Sequence, residues 1–204
     1  MITTKQLMGL RRGNTRTEDF EWITNRDLVD SAHLILGEID LDPASSATAN
    51  EYVGAKNFYT PKEDGLNETP WYGRVYLFPP SKSYFWDKKN ARWKATRGLS
   101  PTLTSGHALW WRTLKKKWLA NEIDQAIFFT NFPDMIMYGQ DMFDHPVCIL
   151  KTRPSLIRHY YADNSIKKMN TACSLIVYLQ PRENVEEKTE EFIQIYSEKG
   201  KVLV

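Results

Sequence analysis

Four stretches of this chain, Arg74 to Phe78, Gln125 to Thr130, Pro146 to Lys151 and Ser174 to Leu179, are apolar runs without the polar alternation of a half-solvated strand. Strands of that kind must be buried on both faces, which a chain achieves by packing helices on either side of a sheet. Amphipathic segments lie between them. Thr24 to Leu36 reads as a helix, capped by Thr24 or Asn25, with Leu28, Val29, Ala32 and Leu36 on one face and Gly37 at its end. Ile39 to Asp42 reads as a short strand stopped by Pro43, and Ala44 to Tyr52 as a short helix of small residues. His107 to Asn121 predicts a further helix, with Leu114 and Trp118 on one side. Val185 to Ser197 predicts the last, with Val185, Thr189, Phe192, Ile193 and Tyr196 facing inward. The expectation is an α/β domain with a largely parallel sheet over residues 20–204, preceded by a flexible arm at 1–19. A basic and aromatic insertion is expected at about 82–121, with turn chemistry from Gly98, Ser100 and Pro101 marking a flexible stretch near 96–106.

Composition narrows the function classes. At 204 residues, 42% hydrophobic and 25% charged, the chain has globular proportions and no apolar stretch of the roughly 18 residues a membrane span needs. The N-terminal residues show no apolar signal-peptide core, so a cytoplasmic location without a membrane partner is expected. Two cysteines, Cys148 and Cys173, are too few for a disulfide framework and read as buried thiols in a reducing compartment. His33, His107, His145 and His159 are spaced too irregularly for a metal site, and His107 merely opens a helix.

Charge is placed unevenly although the net value is only +2. Lys82, Lys88, Lys89, Arg92, Lys94 and Arg97 face one acid, Asp87, and Tyr84, Phe85, Trp86 and Trp93 are interleaved with them. Arg112, Lys115, Lys116 and Lys117 follow, flanked by Trp110, Trp111 and Trp118. Basic side chains neutralise phosphates and flat rings stack on unpaired bases, so this mixture suits a nucleic-acid surface, with DNA the nucleic acid expected. A solvated helix face over a Trp-anchored core would carry the same residues.

Ligands of open parallel sheets bind beyond the carboxyl ends of strands. Two segments stand at such ends. In Leu41-Asp42-Pro43-Ala44-Ser45-Ser46 a strand delivers a carboxylate into a turn of small residues, where it could hold ribose hydroxyls or an ammonium group; an Asx-Pro turn has the same composition. In Phe78-Pro79-Pro80-Ser81 two prolines fix a turn and leave their carbonyls as acceptors; a plain strand stop reads identically.

Taken in order, these pieces resemble the phage-type DNA N6-adenine methyltransferase (Dam) family. The matching run is Glu21-Trp22-Ile23-Thr24, Leu41-Asp42-Pro43-Ala44-Ser45, Asn57-Phe58-Tyr59-Thr60, Asp64-Gly65-Leu66, Trp71-Tyr72-Gly73 and Pro79-Pro80. The resemblance covers about residues 20 to 87 and is thin beyond. It implies a Rossmann-like fold that binds S-adenosyl-L-methionine and methylates DNA. Asp42 and the Pro43, Ala44, Ser45 turn would lie against the methionine part of that cofactor, and Asp64 near its adenine. Trp22 and Thr24 would line the same pocket.

The chain departs from the family pattern where the chemistry should be. An adenine amino group is a poor nucleophile because its lone pair is delocalised into the ring. In the family an Asn or Asp oxygen and a Pro carbonyl accept its hydrogens, and the aromatic residue after the prolines stacks on the flipped base. Here the acceptor position is Phe78, which accepts nothing, and the stacking position is Ser81; the Pro79 carbonyl remains, with Pro80 after it. Tyr84, Phe85 or Trp86 could supply a ring from further on. Two expectations follow: a DNA adenine-N6 methyltransferase of low or altered activity, or an inactive methyltransferase-like protein that binds nucleic acid or a protein partner.

Overall fold

A seven-stranded mixed sheet runs through the centre of the protein, in a computed structural model that describes residues 20–67, 69–96, 104–160, 166–170 and 173–204. The expected arm at 1–19, Arg97 and most of the expected flexible stretch at 96–106 lie outside the described residues. The elements are β1 (Phe20–Ile23), α1 (Arg26–Leu36), β2 (Leu41–Asp42), α2 (Ala47–Val53), β3 (Asn57–Phe58), β4 (Arg74–Leu77), β5 (Ser83–Asp87), β6 (Arg92–Thr96) and β7 (Thr104–Ser105). They continue with α3 (Gly106–Leu119), β8 (Gln125–Thr130), α4 (Met135–Tyr138), a 3₁₀ turn (Gln140–Asp144), β9 (Val147–Leu150), β10 (Ser155–Tyr160), β11 (Ile166–Asn170), β12 (Leu175–Leu179), α5 (Val185–Tyr196) and β13 (Gly200–Leu203).

The central sheet has the order β13-β9-β12-β8-β4-β2-β3. β3, β2, β4 and β8 pair in parallel, whereas β12 is antiparallel to both neighbours and β13 to β9. The expected largely parallel sheet is therefore corrected to a mixed one. Because β9 reverses the reversed β12, it again points the way β8 does, so the two strands out of line are β12 and β13.

Strict alternation along each strand builds two cores, one per face. Val75 and Leu77 of β4, Ala126 and Phe128 of β8, and Leu175, Val177 and Leu179 of β12 meet Trp110, Trp111 and Leu114 of α3. Tyr76, Ile127, Phe129, Ile176 and Tyr178 point the other way, against Leu28, Val29, Ala32 and Ile35 of α1, Val53 of α2, and Phe192 and Tyr196 of α5. Asn25 is the residue that caps α1, its Oδ1 accepting from the Leu28 N–H at 3.1 Å. Helix α2 starts later than expected: Ser46 caps it, which leaves 43–45 as a turn.

Three expectations about burial change. Val185 is exposed, because α5 meets the sheet through its later turns. Cys173 is exposed while Cys148 is buried. Helix α3, expected within the insertion, covers the central sheet and belongs to the core, and the smaller sheet β6-β5-β7 packs Tyr84 and Trp93 on that same core. A third sheet, β1-β10-β11, is antiparallel throughout. Among the described residues, no helix is long and apolar enough to cross a membrane.

Candidate functional site

The sheet changes winding direction between β2 and β4. From β2 the chain runs outward through α2 to β3 on one side, and from β4 it runs through α3 to β8 on the other. The crossovers lie on opposite faces, since Val53 of α2 belongs to one core and α3 to the other. Such a switch point opens a crevice at the carboxyl ends of the strands. Asp42 ends β2 there, and Phe78-Pro79-Pro80-Ser81 follows β4 there, so the two strand-end segments singled out in the sequence share one edge.

Asp42 is buried. Its Oδ1 accepts from the Ala44 N–H at 3.1 Å, a bond across the Pro43 turn that only partly offsets the loss of water. Burial pushes its carboxyl up to about 7. The Ser45 hydroxyl is buried beside it and works with the Ala44 N–H to favour the charged form, though it lies off the alignment of a full hydrogen bond. The backbone beside them is tied to the segment after β3: Tyr59 N–H donates to the Asp42 carbonyl and Ser45 N–H to the Tyr59 carbonyl, each at 2.9 Å. The frame thus carries a buried carboxylate whose charged form is disfavoured, beside a buried hydroxyl, which suits a ligand that brings hydrogen-bond donors or positive charge.

The Asp64-Gly65-Leu66 segment packs on this turn. A Cβ on Gly65 would lie 2.2 Å from the Pro43 carbonyl oxygen, so only glycine permits the approach. The Trp71 indole N–H holds the segment from beneath, donating to the Gly65 carbonyl at 2.7 Å. Asp64 itself is ion-paired with Arg92 and accepts from the Asn67 amide at 2.8 Å. Asn67 also receives the Trp93 N–H at 2.8 Å and donates to the Trp93 carbonyl at 3.2 Å, which stitches the β5–β6 hairpin to the site. Arg92, expected on a nucleic-acid surface, and Asp64, expected in a cofactor pocket, are therefore partners.

Thr24 is buried, and its hydroxyl accepts from the Tyr76 hydroxyl at 2.8 Å on the strand next to Asp42. Trp22 lies in the separate sheet, with the Arg158 guanidinium 4.3 Å from its ring centre. Phe78 is half-buried against Phe129 at 4.8 Å between ring centres. Pro79 is buried, and the Pro80 carbonyl accepts from the Lys82 N–H at 2.8 Å, turning the chain tightly around an exposed Ser81.

The basic and aromatic residues divide. Tyr84, Trp110 and Trp111 are core residues and present no ring to solvent, whereas Phe85 and Trp86 are 38% and 47% exposed. Lys82, Lys88, Lys89 and Lys116 are exposed or partly so, with Lys88 and Lys89 at the hairpin turn. Lys94 pairs with Asp87, Lys115 with Asp141, and Lys117 with Glu122 while also lying over the Trp71 ring. Arg112 bonds back to the Ala108 carbonyl of its own helix. Of the nine described basic residues expected on that surface, four, Arg92, Lys94, Lys115 and Lys117, are committed to ion pairs.

His107 is the residue the sequence reading passed over. It is buried at the start of α3, with Nε2 3.2 Å from the Ser81 hydroxyl and Nδ1 2.8 Å from the Thr130 hydroxyl at the end of β8. Burial holds its imidazole down to about 3, so it is neutral. No sequence motif announces it, since Ser81 and Thr130 flank it only after β4 and β8 pair. Compared with known proteins, the chain matches no family model, no curated protein and no solved structure.

Proposed function

We propose that this protein is an S-adenosylmethionine-dependent methyltransferase acting on the N6 amino group of adenine in DNA. The observation that carries the reading is Asp42: a buried carboxylate at the switch point of a wound α/β sheet, held by the Ala44 N–H and set beside the buried Ser45 hydroxyl. The resemblance of residues 20 to 87 to the family points to the same edge.

Asp42 and the Pro43, Ala44, Ser45 turn would hold the cofactor's amino-acid part, with Asp64, Trp22 and Thr24 around the remainder. When bound, the cofactor supplies a methyl group made electrophilic by a positively charged sulfur. A cation near Asp42 would draw its carboxyl back to the ionised form, which gives a charged ligand a gain that a neutral one lacks. On the nucleic-acid side, exposed Lys82, Lys88 and Lys89 would neutralise phosphates, and Phe85 and Trp86 would offer stacking faces.

One observation favours a second reading. Phe78 packs on Phe129 at the place where an amino-group acceptor is expected, and it has no acceptor to offer. A methyltransferase-like binder that keeps the cofactor and nucleic acid without transferring methyl groups would tolerate it.

Incubation with methyl-labelled S-adenosylmethionine and DNA, followed by mass spectrometry of the nucleosides, tests the proposal. N6-methyladenine above a no-enzyme control supports transfer. Cofactor and DNA binding with no methylated base would favour the binder, and neither activity would defeat both readings.

A further inference from the structure

We propose that Ser81, His107 and Thr130 form a hydrogen-bonded relay that presents the Ser81 hydroxyl to the ring-bound amino group of a substrate base. The substrate class rests on the methyltransferase reading; the relay rests on geometry outside the cofactor pocket.

The Thr130 hydroxyl oxygen accepts from the Phe132 N–H at 3.3 Å, and its own proton is buried with the His107 Nδ1 2.8 Å away. A buried hydroxyl proton needs an acceptor, so Thr130 donates to Nδ1 and the imidazole proton resides on Nε2. Nε2–H then donates to the Ser81 oxygen at 3.2 Å. A neutral imidazole is required for this arrangement, and the burial of His107 supplies it.

The ring cannot swing away. It stacks on Phe132 at 5.5 Å with an interplanar angle of 17° and meets the edge of Phe78 at 6.4 Å. The turn that carries Ser81 is equally fixed. A Cβ on Gly106 would lie 2.2 Å from the Lys82 carbonyl oxygen and 2.7 Å from that of Pro80, so the start of α3 is pressed against residues 80–82. Ser81 is exposed at the apex.

With one lone pair engaged by His107, the Ser81 hydroxyl retains one donor and one acceptor for a ligand. An amino group beside a ring nitrogen, as on the pairing edge of adenine, offers the complement. The Ser81 oxygen thus supplies the acceptor that Phe78 lacks. Ser81 is the group that touches substrate, and His107 is a positioning residue acting through it.

The test compares binding of two labelled single-stranded oligodeoxynucleotides, one carrying adenine and one carrying purine without the amino group. Wild type is expected to bind the adenine strand about tenfold more tightly, the worth of one good hydrogen bond. Ser81→Ala, at an exposed position that does not threaten folding, should abolish the preference. His107→Phe and Thr130→Val should do the same, and His107→Gln, whose amide can donate near the Nε2 position, should restore it. The Ser81→Ala/His107→Phe double variant should be no worse than Ser81→Ala alone, because His107 acts through Ser81. No preference in wild type, a preference that survives Ser81→Ala, or additive losses would overturn the relay. If the preference holds but S-adenosylmethionine does not bind, the methyltransferase reading fails and the relay stands. If the cofactor binds and the preference is absent, the reverse holds.

Discussion

Gly65 and Pro43 touch so closely that a single methyl group could not be placed between them: a Cβ at Gly65 would lie 2.2 Å from the Pro43 carbonyl oxygen. Two loops separated in sequence are thereby pressed together at the carboxyl end of β2, with Asp42 on one and Asp64 on the other. Gly65→Ala must push the loops apart. The expected cost is about 1–3 kcal/mol in denaturant unfolding, together with a loss of S-adenosylmethionine affinity. An unchanged unfolding midpoint would show that the contact constrains nothing.

Asp42 sets a pH dependence of stability. Burial raises its folded-state carboxyl to about 7, from 3.8 for the unconstrained group. The folded state therefore keeps its proton longer than the unfolded state does. The contribution is most favourable below about pH 4, is lost as pH rises toward 7, and is flat above. Asp42→Asn removes the ionisation and should be more stable than wild type at pH 8, by roughly 2–4 kcal/mol, with the advantage vanishing near pH 4. Equal stability of the two proteins at pH 8 would mean the carboxylate is not buried at a cost.

The same titration acts on the ligand in the opposite sense. If a cation binds ionised Asp42, affinity should rise about tenfold per pH unit below 7 and level off above it. Titration calorimetry across pH 5.5 to 8.5 reads this directly. A flat profile would remove Asp42 from contact with the charged part of the ligand.

Exposed and ion-paired lysines should separate in their effect on DNA binding. Lys88→Ala with Lys89→Ala removes two exposed cations at the hairpin turn and should reduce the slope of log affinity against log salt by about 1.4–1.8. Lys115→Ala with Lys117→Ala removes cations already paired with Asp141 and Glu122, and should leave the slope nearly unchanged. Equal effects from the two pairs would mean the internal ion pairs dissolve on binding.

Trp111 anchors α3 on the central sheet, fully buried against Phe128 with its indole N–H donating to Asp141 at 2.8 Å. Trp111→Ala should cost about 3–5 kcal/mol in unfolding free energy. A change below 1 kcal/mol would place the ring outside the core.

Much of the central architecture was legible because burial on both faces leaves an apolar run that nothing else in the chain resembles. Gln125 to Thr130 is a strand end to end, and Val185 to Tyr196 a helix with expected bounds nearly met. The hairpin β5–β6 was not legible. Its cross-strand pair Trp86–Trp93 alternates with Lys94, Arg92 and Asp87, and in one dimension that reads as a charged, aromatic tract. Strand β3, two residues long, is too short to show any period, whereas β2 shows in the alternation of Ile39 to Asp42 before Pro43. In the site, Asp42 was visible as a carboxylate closing a strand, but its partners were not. Ser81 and His107 are 26 residues apart, and Arg92 and Asp64 are 28 apart. Such contacts are made by the order in which strands pair, which no local pattern encodes.

The proposed cofactor site centres on Asp42, and titration calorimetry of the full chain with S-adenosylmethionine at pH 8 tests that proposal most directly. Wild type should bind at a single site, and Asp42→Asn, while remaining folded, should lose at least about tenfold in affinity, the worth of a charged hydrogen bond. Absence of binding by wild type, or equal affinity of Asp42→Asn, would contradict it.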